Sequence, residues 1–230
     1  MNYDSSILNN TTIRHLVTRT TGLQSQGDGV LRRFEAAQVI ASASYEWHVI
    51  IAARSQHRGN EAANELIRIT GNANISAMVL DLSSSLSIHH FVEQFSKAEL
   101  PPLHVIVCNA GTQFVQGTQM TADGIEATFG VNHLGHFMLV RLLLNHLQEN
   151  GRIVVVSIDT HDLSKKTGMP APRYASRSIL ADPVESDRLH NPLYRVKHIG
   201  MDLKRQHPPR NRTIRSIHLS FGSGVLKCLT

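Results

Sequence analysis

The chain has 230 residues, of which 41% are hydrophobic, so it is large enough for one globular domain and too apolar for a disordered chain. No stretch approaches the roughly 20 apolar residues of a membrane span, and the N-terminal segment lacks the basic and apolar regions of a secretory signal. Cys108 and Cys228 are too few for a disulfide scaffold and have no partners at zinc-ligand spacing. A protein of the reducing cytoplasm, with no bound metal, is therefore predicted.

The formal net charge is +5, and the basic residues are concentrated near the end of the sequence. From Tyr194 onward there are eight Lys and Arg residues against one acid, Asp202, which leaves 15 of the 23 basic and 17 of the 18 acidic residues elsewhere. A basic segment attracts phosphates, nucleic acids or acidic proteins, but more often it is only a solvated surface. No aromatic platform or recognition helix accompanies it, so no nucleic-acid partner is expected.

The sequence up to residue 157 predicts short strands that alternate with helices. Residues 12–20 (TIRHLVTRT) are predicted as the first strand, although they are polar for a central parallel strand. The segment FEAAQVIA, which begins at Phe34, predicts the helix that follows. Four later runs are rich in β-branched residues and have the length of fully buried strands. These runs are residues 48–52 (HVIIA), 77–80 (AMVL), 104–108 (HVIVC) and 152–157 (RIVVVS).

Helices are predicted between these strands and beyond them. The three that lie between strands are residues 58–70, 87–97 and 122–148. Gly71 is suited to be the C-cap of the first, and the third is expected to begin near Thr121 and Asp123. Further on, residues 195–205 predict a helix and residues 213–219 a strand. The alternation predicts an α/β fold with a doubly wound, Rossmann-type parallel sheet in a single domain, residues 1–230, incomplete at its C-terminal end.

Several motifs occur in one order along the central part of the chain. They are residues 48–55 (HVIIAARS), 80–82 (LDL), 108–111 (CNAG), 121–140 (TADGIEATFGVNHLGHFMLV) and 151–162 (GRIVVVSIDTHD). In order and spacing they resemble the short-chain dehydrogenase/reductase family, and DGIEATFGVNHLGHF resembles its retinol-dehydrogenase-like branch. The resemblance covers roughly residues 36–175, whereas residues 194–230 form a basic, divergent tail.

The resemblance implies a nicotinamide dinucleotide at the carboxyl edge of the sheet. In TGLQSQGDG, residues 21–29, the glycines Gly22, Gly27 and Gly29 would hold the pyrophosphate, although this loop is one residue longer than the family pattern. Arg54 follows the second strand, where an arginine accommodates a 2′-phosphate, and it therefore favours NADP over NAD. The alternative for Arg54 is a solvated loop arginine.

Two further strand ends are expected to contact the cofactor. Asp81 and Leu82 match the adenine-contacting position of the family, and the alternative for Asp81 is an N-cap of the next helix. Asn109, Ala110 and Gly111 follow a buried strand, and the two small residues let the backbone approach a ribose closely. The alternative for these three is an ordinary turn, because Asn and Gly favour turns.

The implied reaction is hydride transfer between nicotinamide and a carbonyl or alcohol carbon. Tyr194 would give or take the hydroxyl proton, and Lys197 would assist it from three residues further on, where the family has four. Ser157 would bind the substrate oxygen, although Ile158 stands where the branch has the second serine, the one that acts. Thr160 is an alternative to Ser157, because alternation along a strand puts it on the same face as Ile158.

Asn132 lies inside the predicted long helix. Asparagine is unfavourable at such a position because its amide competes for the backbone, so a specific partner is expected. The resemblance implies that Asn132 supports a water of the proton relay; the alternative is a polar residue on a solvated face. His133 and His136 are three residues apart without a third ligand, so no metal site is predicted.

These motifs leave two functions open. The first is an NADP-dependent oxidoreductase that interconverts a small-molecule carbonyl and an alcohol. The second is an inactive or truncated relative that at most binds a nucleotide, because the serine and tyrosine–lysine motifs are altered. The resemblance also implies a homodimer or tetramer.

Overall fold

The computed structural model describes residues 14–18, 35–112, 118–155, 181 and 213–214, and the side chains of 37–112, 118–155 and 181. The strands are β1 (Arg14–Thr18), β2 (His48–Ala53), β3 (Ile75–Val79), β4 (Leu103–Cys108), β5 (Leu147–Val155) and β6 (Thr213–Ile214). The α-helices are α1 (Glu35–Ala43), α2 (Gln56–Thr70), α3 (Ser85–Lys97), α4 (Ala127–Phe129) and α5 (His136–Leu143). A π-helix, Gly130–Gly135, joins α4 to α5, and a 3₁₀ turn, Leu144–His146, follows α5.

The six strands form one sheet in the order β3-β2-β1-β4-β5-β6, and every pairing among them is parallel. The strand order reverses between β1 and β4, which is the arrangement of a doubly wound sheet. The predicted fold class is therefore confirmed. The assignment of residues 1–230 to a single domain stays a prediction.

The first strand lies at the centre of this sheet despite its polar sequence. Leu16 pairs with Ile50 of β2 on one side and with Ile106 of β4 on the other. Backbone hydrogen bonds to two neighbours hold such a strand whatever its side chains are, so composition alone did not exclude the central position.

Helices cover both faces of the sheet. One core cluster contains Ile50 and Ile106 together with buried residues of α3 and α5, among them Phe91 and Leu139. The other cluster contains the strand residues that alternate with these, such as Val107 next to Ile106. It also contains buried residues of α1 and α2. Because successive strand residues point to opposite faces, a run that is apolar throughout is buried on both sides, as the sequence predicted.

Serine caps explain where two helices begin. α2 and α3 each begin two residues before the predicted position, because Ser55 and Ser84 are the N-caps and their hydroxyls accept from the amides of Arg58 and Ser87. Gly71 ends α2 as predicted, with φ of 74° and its N–H donated to the Ile67 carbonyl.

The prediction of one helix over residues 122–148 was wrong. The helix begins only at Ala127, because the buried Glu126 is its cap and accepts from the amides of Thr128 and Phe129 at 2.9 and 2.8 Å. Asp123 lies in the preceding turn, where Gly124 has φ of 72°. The predicted end of this helix at residue 148 was also wrong, since β5 begins at Leu147.

The other predicted strand bounds needed smaller corrections. β2 and β4 extend the predictions by one residue each, and β3 begins and ends earlier than residues 77–80. β5 begins five residues before Arg152, with a break in its register against β4 between Leu147 and Arg152. β6 lies within the predicted 213–219 strand. The predicted helix at 195–205 is outside the described residues.

Candidate cofactor site

The carboxyl ends of β2, β3 and β4 meet at one edge of the sheet. Arg54 follows β2 directly, Asp81 and Leu82 come two and three residues after β3, and Asn109 begins the segment after β4. Because the strands are parallel, these predicted contacts lie along the same edge of the sheet, and the segment after β4 lies next to the point where the strand order reverses. The predicted pyrophosphate glycines, Gly22, Gly27 and Gly29, lie outside the described residues.

Arg54 is exposed at the start of α2. It precedes the N-cap Ser55, so its guanidinium adds to the positive end of the α2 dipole. None of the ion pairs between described side chains involves Arg54; they join His57 to Glu61, Arg68 to Glu65 and Lys97 to Glu93. The position therefore favours a negatively charged ligand, as a 2′-phosphate contact requires.

Asp81 organises the turn between β3 and α3. Its Oδ1 accepts from the backbone N–H of Ser83 at 2.9 Å and from the Ser83 hydroxyl at 2.7 Å. The amide of Asp81 donates to Ser87 Oγ at 2.9 Å. The cap of α3 is Ser84, so the alternative that Asp81 is a simple N-cap was wrong.

Leu82 is buried and lies directly under the π-helix. A Cβ placed on Gly135 would come within 2.4 Å of the Leu82 carbonyl oxygen. Real side chains do not approach a backbone so closely, so only glycine allows the π-helix to contact this turn. The sequence showed Gly135 inside a helical pattern but gave no indication of this contact.

Asn132 has the specific partner that its position in a helix requires. Its Oδ1 accepts from the amide of Thr112 at 2.7 Å, and its Nδ2 donates to the Thr112 carbonyl at 2.8 Å. The two bonds close a ring between the π-helix and the backbone just after Gly111. The alternative of a polar residue on a solvated face was wrong, since Asn132 is partly buried. Its role in a proton relay stays a prediction.

The short segment after β4 is close to the core. Ala110 is buried, and the amide of Asn109 donates to the Val107 carbonyl at 3.1 Å. Together with the Asn132–Thr112 pair, this contact fixes the backbone on both sides of Ala110 and Gly111. The sequence did not predict the role of Thr112 as the partner of Asn132, because Thr112 takes part through its backbone amide and carbonyl.

The two histidines near Asn132 have other contacts. The His133 ring stacks between Phe129 and Phe137, with centroid distances of 5.3 and 6.3 Å. His136 is buried, and its Nδ1 donates to the Asn132 carbonyl at 3.3 Å. Among the described side chains there is no group of three or more His, Cys, Asp or Glu residues that could hold a metal ion.

Three of the predicted catalytic residues, Ser157, Tyr194 and Lys197, lie outside the described residues. Of the predicted site, the structure therefore places the ends of β2, β3 and β4 along one edge of the sheet and joins Asn132 to the segment after β4. In the part of the chain that is described, no helix is long and apolar enough to cross a membrane.

Comparison with known proteins gives one family. The profile of the short chain dehydrogenase family matches residues 34–171. The chain is 32% identical over 235 residues to short-chain dehydrogenase TIC 32 B, chloroplastic, of Brassica napus, which covers 94% of this chain and 70% of that protein.

Two further matches cover less of the other protein's length. The chain is 47% identical over 116 residues to the human WW domain-containing oxidoreductase, and the match covers 50% of this chain but only 28% of that protein. The crystal structure of a gluconate 5-dehydrogenase from Burkholderia cenocepacia, in complex with NADP and tartrate, has a TM-score of 0.51 at 21% identity, covering 68% of this chain and 57% of that one. At that identity the likeness shows the fold alone.

Proposed function

The chain belongs to the short-chain dehydrogenase family, and on that premise we propose that it is an NADP-dependent oxidoreductase that interconverts a carbonyl and an alcohol by hydride transfer. The observation that carries the proposal is the paired hydrogen bonding of Asn132 to Thr112. It fixes the segment after β4 at the edge of the sheet where open α/β folds bind their ligands. A backbone that is already ordered loses less entropy when a cofactor binds.

The described residues fit a dinucleotide. The small residues Ala110 and Gly111 would let the backbone approach a ribose closely, and Asp81 carries a carboxylate just beyond the end of β3. Arg54 supports NADP over NAD, because a guanidinium matches phosphate geometry and no acid stands beside it to bind a free 2′-hydroxyl.

The bound cofactor would supply or accept the hydride, and the proton is left to the protein. In the reductive direction the Tyr194 hydroxyl would donate its proton to the substrate oxygen, and in the oxidative direction the ionised Tyr194 would accept the proton of the substrate hydroxyl. The positive charge of Lys197 would favour the ionised form of Tyr194, and the Ser157 hydroxyl would orient the substrate oxygen. The substrate is a small molecule with a carbonyl or hydroxyl group.

A second candidate is a family member without activity that at most binds a nucleotide. Ile158 favours it, because it stands where the branch carries a serine. Lys197 favours it as well, since in a helix a lysine three residues after Tyr194 lies about 100° around the axis from the position four residues after it, where the family has the lysine.

Two measurements on the purified chain separate these candidates. NADPH and NADH are titrated by nicotinamide fluorescence, and NADPH oxidation is then followed with ketones and quinones for the chain and for Tyr194→Phe. Saturable NADPH binding with turnover that Tyr194→Phe abolishes supports the oxidoreductase. Binding without turnover supports the second candidate, and no binding of either nucleotide refutes the NADP-dependent oxidoreductase.

The proposal extends to assembly and location. We place the protein in the cytoplasm as a homodimer or tetramer, with no nucleic-acid partner. The two cysteines of the chain, Cys108 and Cys228, are too few for a disulfide scaffold, which supports a reducing compartment. Light scattering on the purified chain tests the assembly, and a monomer at micromolar concentration would contradict it.

A further inference from the structure

Asp123 joins two segments that are far apart in sequence. Its Oδ2 accepts from the backbone N–H of Ser85 and its Oδ1 from the Ser85 hydroxyl, both at 2.8 Å. The adjacent Ala122 donates its amide to the Ser83 carbonyl at 3.0 Å. Three hydrogen bonds therefore fasten the turn before α4 to the start of α3.

These hydrogen bonds are linked to Asp81 through one residue, Ser83. Ser83 accepts from Ala122 through its carbonyl and donates to Asp81 Oδ1 through both its amide and its hydroxyl. The orientation of the Asp81 carboxylate thus depends on the position of Ser83, and that position is held from the other side by Ala122 and Asp123.

We propose that Asp123 is a positioning residue for the adenine side of the dinucleotide site. It keeps residues 81–85 in the conformation that directs Asp81 at the cofactor, although it lies too far along the chain to belong to that turn. A turn that must be ordered on binding lowers affinity, and one that is already ordered does not. The inference rests on the proposed function, because it takes Asp81 as a cofactor contact.

The competing explanation is that Asp123 only stabilises α3. A carboxylate at the positive end of a helix does so whether or not a ligand binds nearby. The chain offers a matched control in Glu93, whose carboxylate accepts from Lys97 Nζ at 2.6 Å on the exposed surface of the same helix. Asp123→Ala and Glu93→Ala each remove one carboxylate that supports α3, and only the first touches the turn of Asp81.

The test is calorimetric titration of the full chain and its variants with NADPH and with 2′,5′-ADP, which carries only the adenine half of the cofactor. Asp123→Ala is expected to lower the affinity for both ligands by the same factor of about five. The net contribution of one hydrogen bond corresponds to a factor of about that size. Glu93→Ala is expected to leave both affinities unchanged. Amide exchange at Ser83 should become faster in Asp123→Ala and stay unchanged in Glu93→Ala.

Ser85→Ala provides a milder variant in case Asp123→Ala does not fold. It removes the hydroxyl bond to Asp123 and keeps the backbone one, so a smaller loss of 2′,5′-ADP affinity is expected. Equal affinity for 2′,5′-ADP in Asp123→Ala, Ser85→Ala and Glu93→Ala would overturn the inference while leaving the proposed function intact. A wild-type chain that binds neither NADPH nor 2′,5′-ADP would overturn both.

Discussion

Replacing Asn132 by alanine is expected to weaken both the fold and the cofactor site. The change removes the bonds of 2.7 and 2.8 Å to the amide and the carbonyl of Thr112. Each bond contributes about 1 kcal/mol net, and leaving partly buried backbone groups unpaired adds to the loss, so the free energy of unfolding should fall by about 2–3 kcal/mol. That is a large part of the stability of an ordinary domain.

Urea unfolding of the wild type and Asn132→Ala measures this loss, and NADPH titration at low urea measures its effect on the site. Asn74→Ala is the control, because Asn74 Nδ2 donates to the Tyr45 carbonyl at 2.8 Å in an exposed region away from the edge. We expect the control to lose about 1 kcal/mol or less and to keep its NADPH affinity. Asn132→Ala behaving like Asn74→Ala in both measurements would refute the reasoning.

Three further predictions follow from single residues. Arg54→Asp should reverse the preference for NADPH over NADH, by a factor of roughly ten or more; equal binding of the two nucleotides by the wild type would show that Arg54 is only a solvated arginine. Gly135→Ala should lower the melting temperature by several degrees, because its Cβ would lie 2.4 Å from the Leu82 carbonyl oxygen, and an unchanged melting curve would contradict that contact. Burial, with a smaller contribution from the nearby Arg152 charge, lowers the pKa of His104 from its ordinary value of 6.5. The unfolded chain therefore binds the proton more readily, so the stability that His104 contributes is present above about pH 6.5 and is lost as the pH falls through the lower, folded-state pKa. Urea unfolding between about pH 5 and pH 7.5 should show a smaller loss on acidification in His104→Gln than in the wild type, and equal pH dependence would oppose the assignment.

Local signals predicted most of the sheet and the helices α1, α2 and α3. The apolar runs before Ala53 and Asn109 marked strands buried on both faces, and Gly71 marked the end of α2 through its left-handed backbone. In each case the decisive interaction lies within a few residues, so the sequence pattern contains it.

Contacts between distant segments could not be predicted in this way. Asp123 was expected to begin the helix that follows it, and instead it accepts from Ser85 at the start of α3. Asn132 was expected to have a partner, but Thr112 participates through its backbone, which has no sequence signature. The π-helix depends on the close approach of Gly135 to Leu82, and that contact exists only once the sheet has formed.

The position of β1 also has a consequence for the order in which the chain folds. β1 precedes both of its partners along the chain, and Leu16 pairs with Ile50 on one side and with Ile106 on the other. During synthesis from the N-terminus, β1 can pair with β2 soon after it emerges, but its other edge stays open until β4 has been made. An open strand edge binds other chains readily, so this interval is when association between nascent chains is most favourable. Pairing over so long a loop is also slow, which makes closure of the sheet at β1–β4 the step that should limit the folding rate.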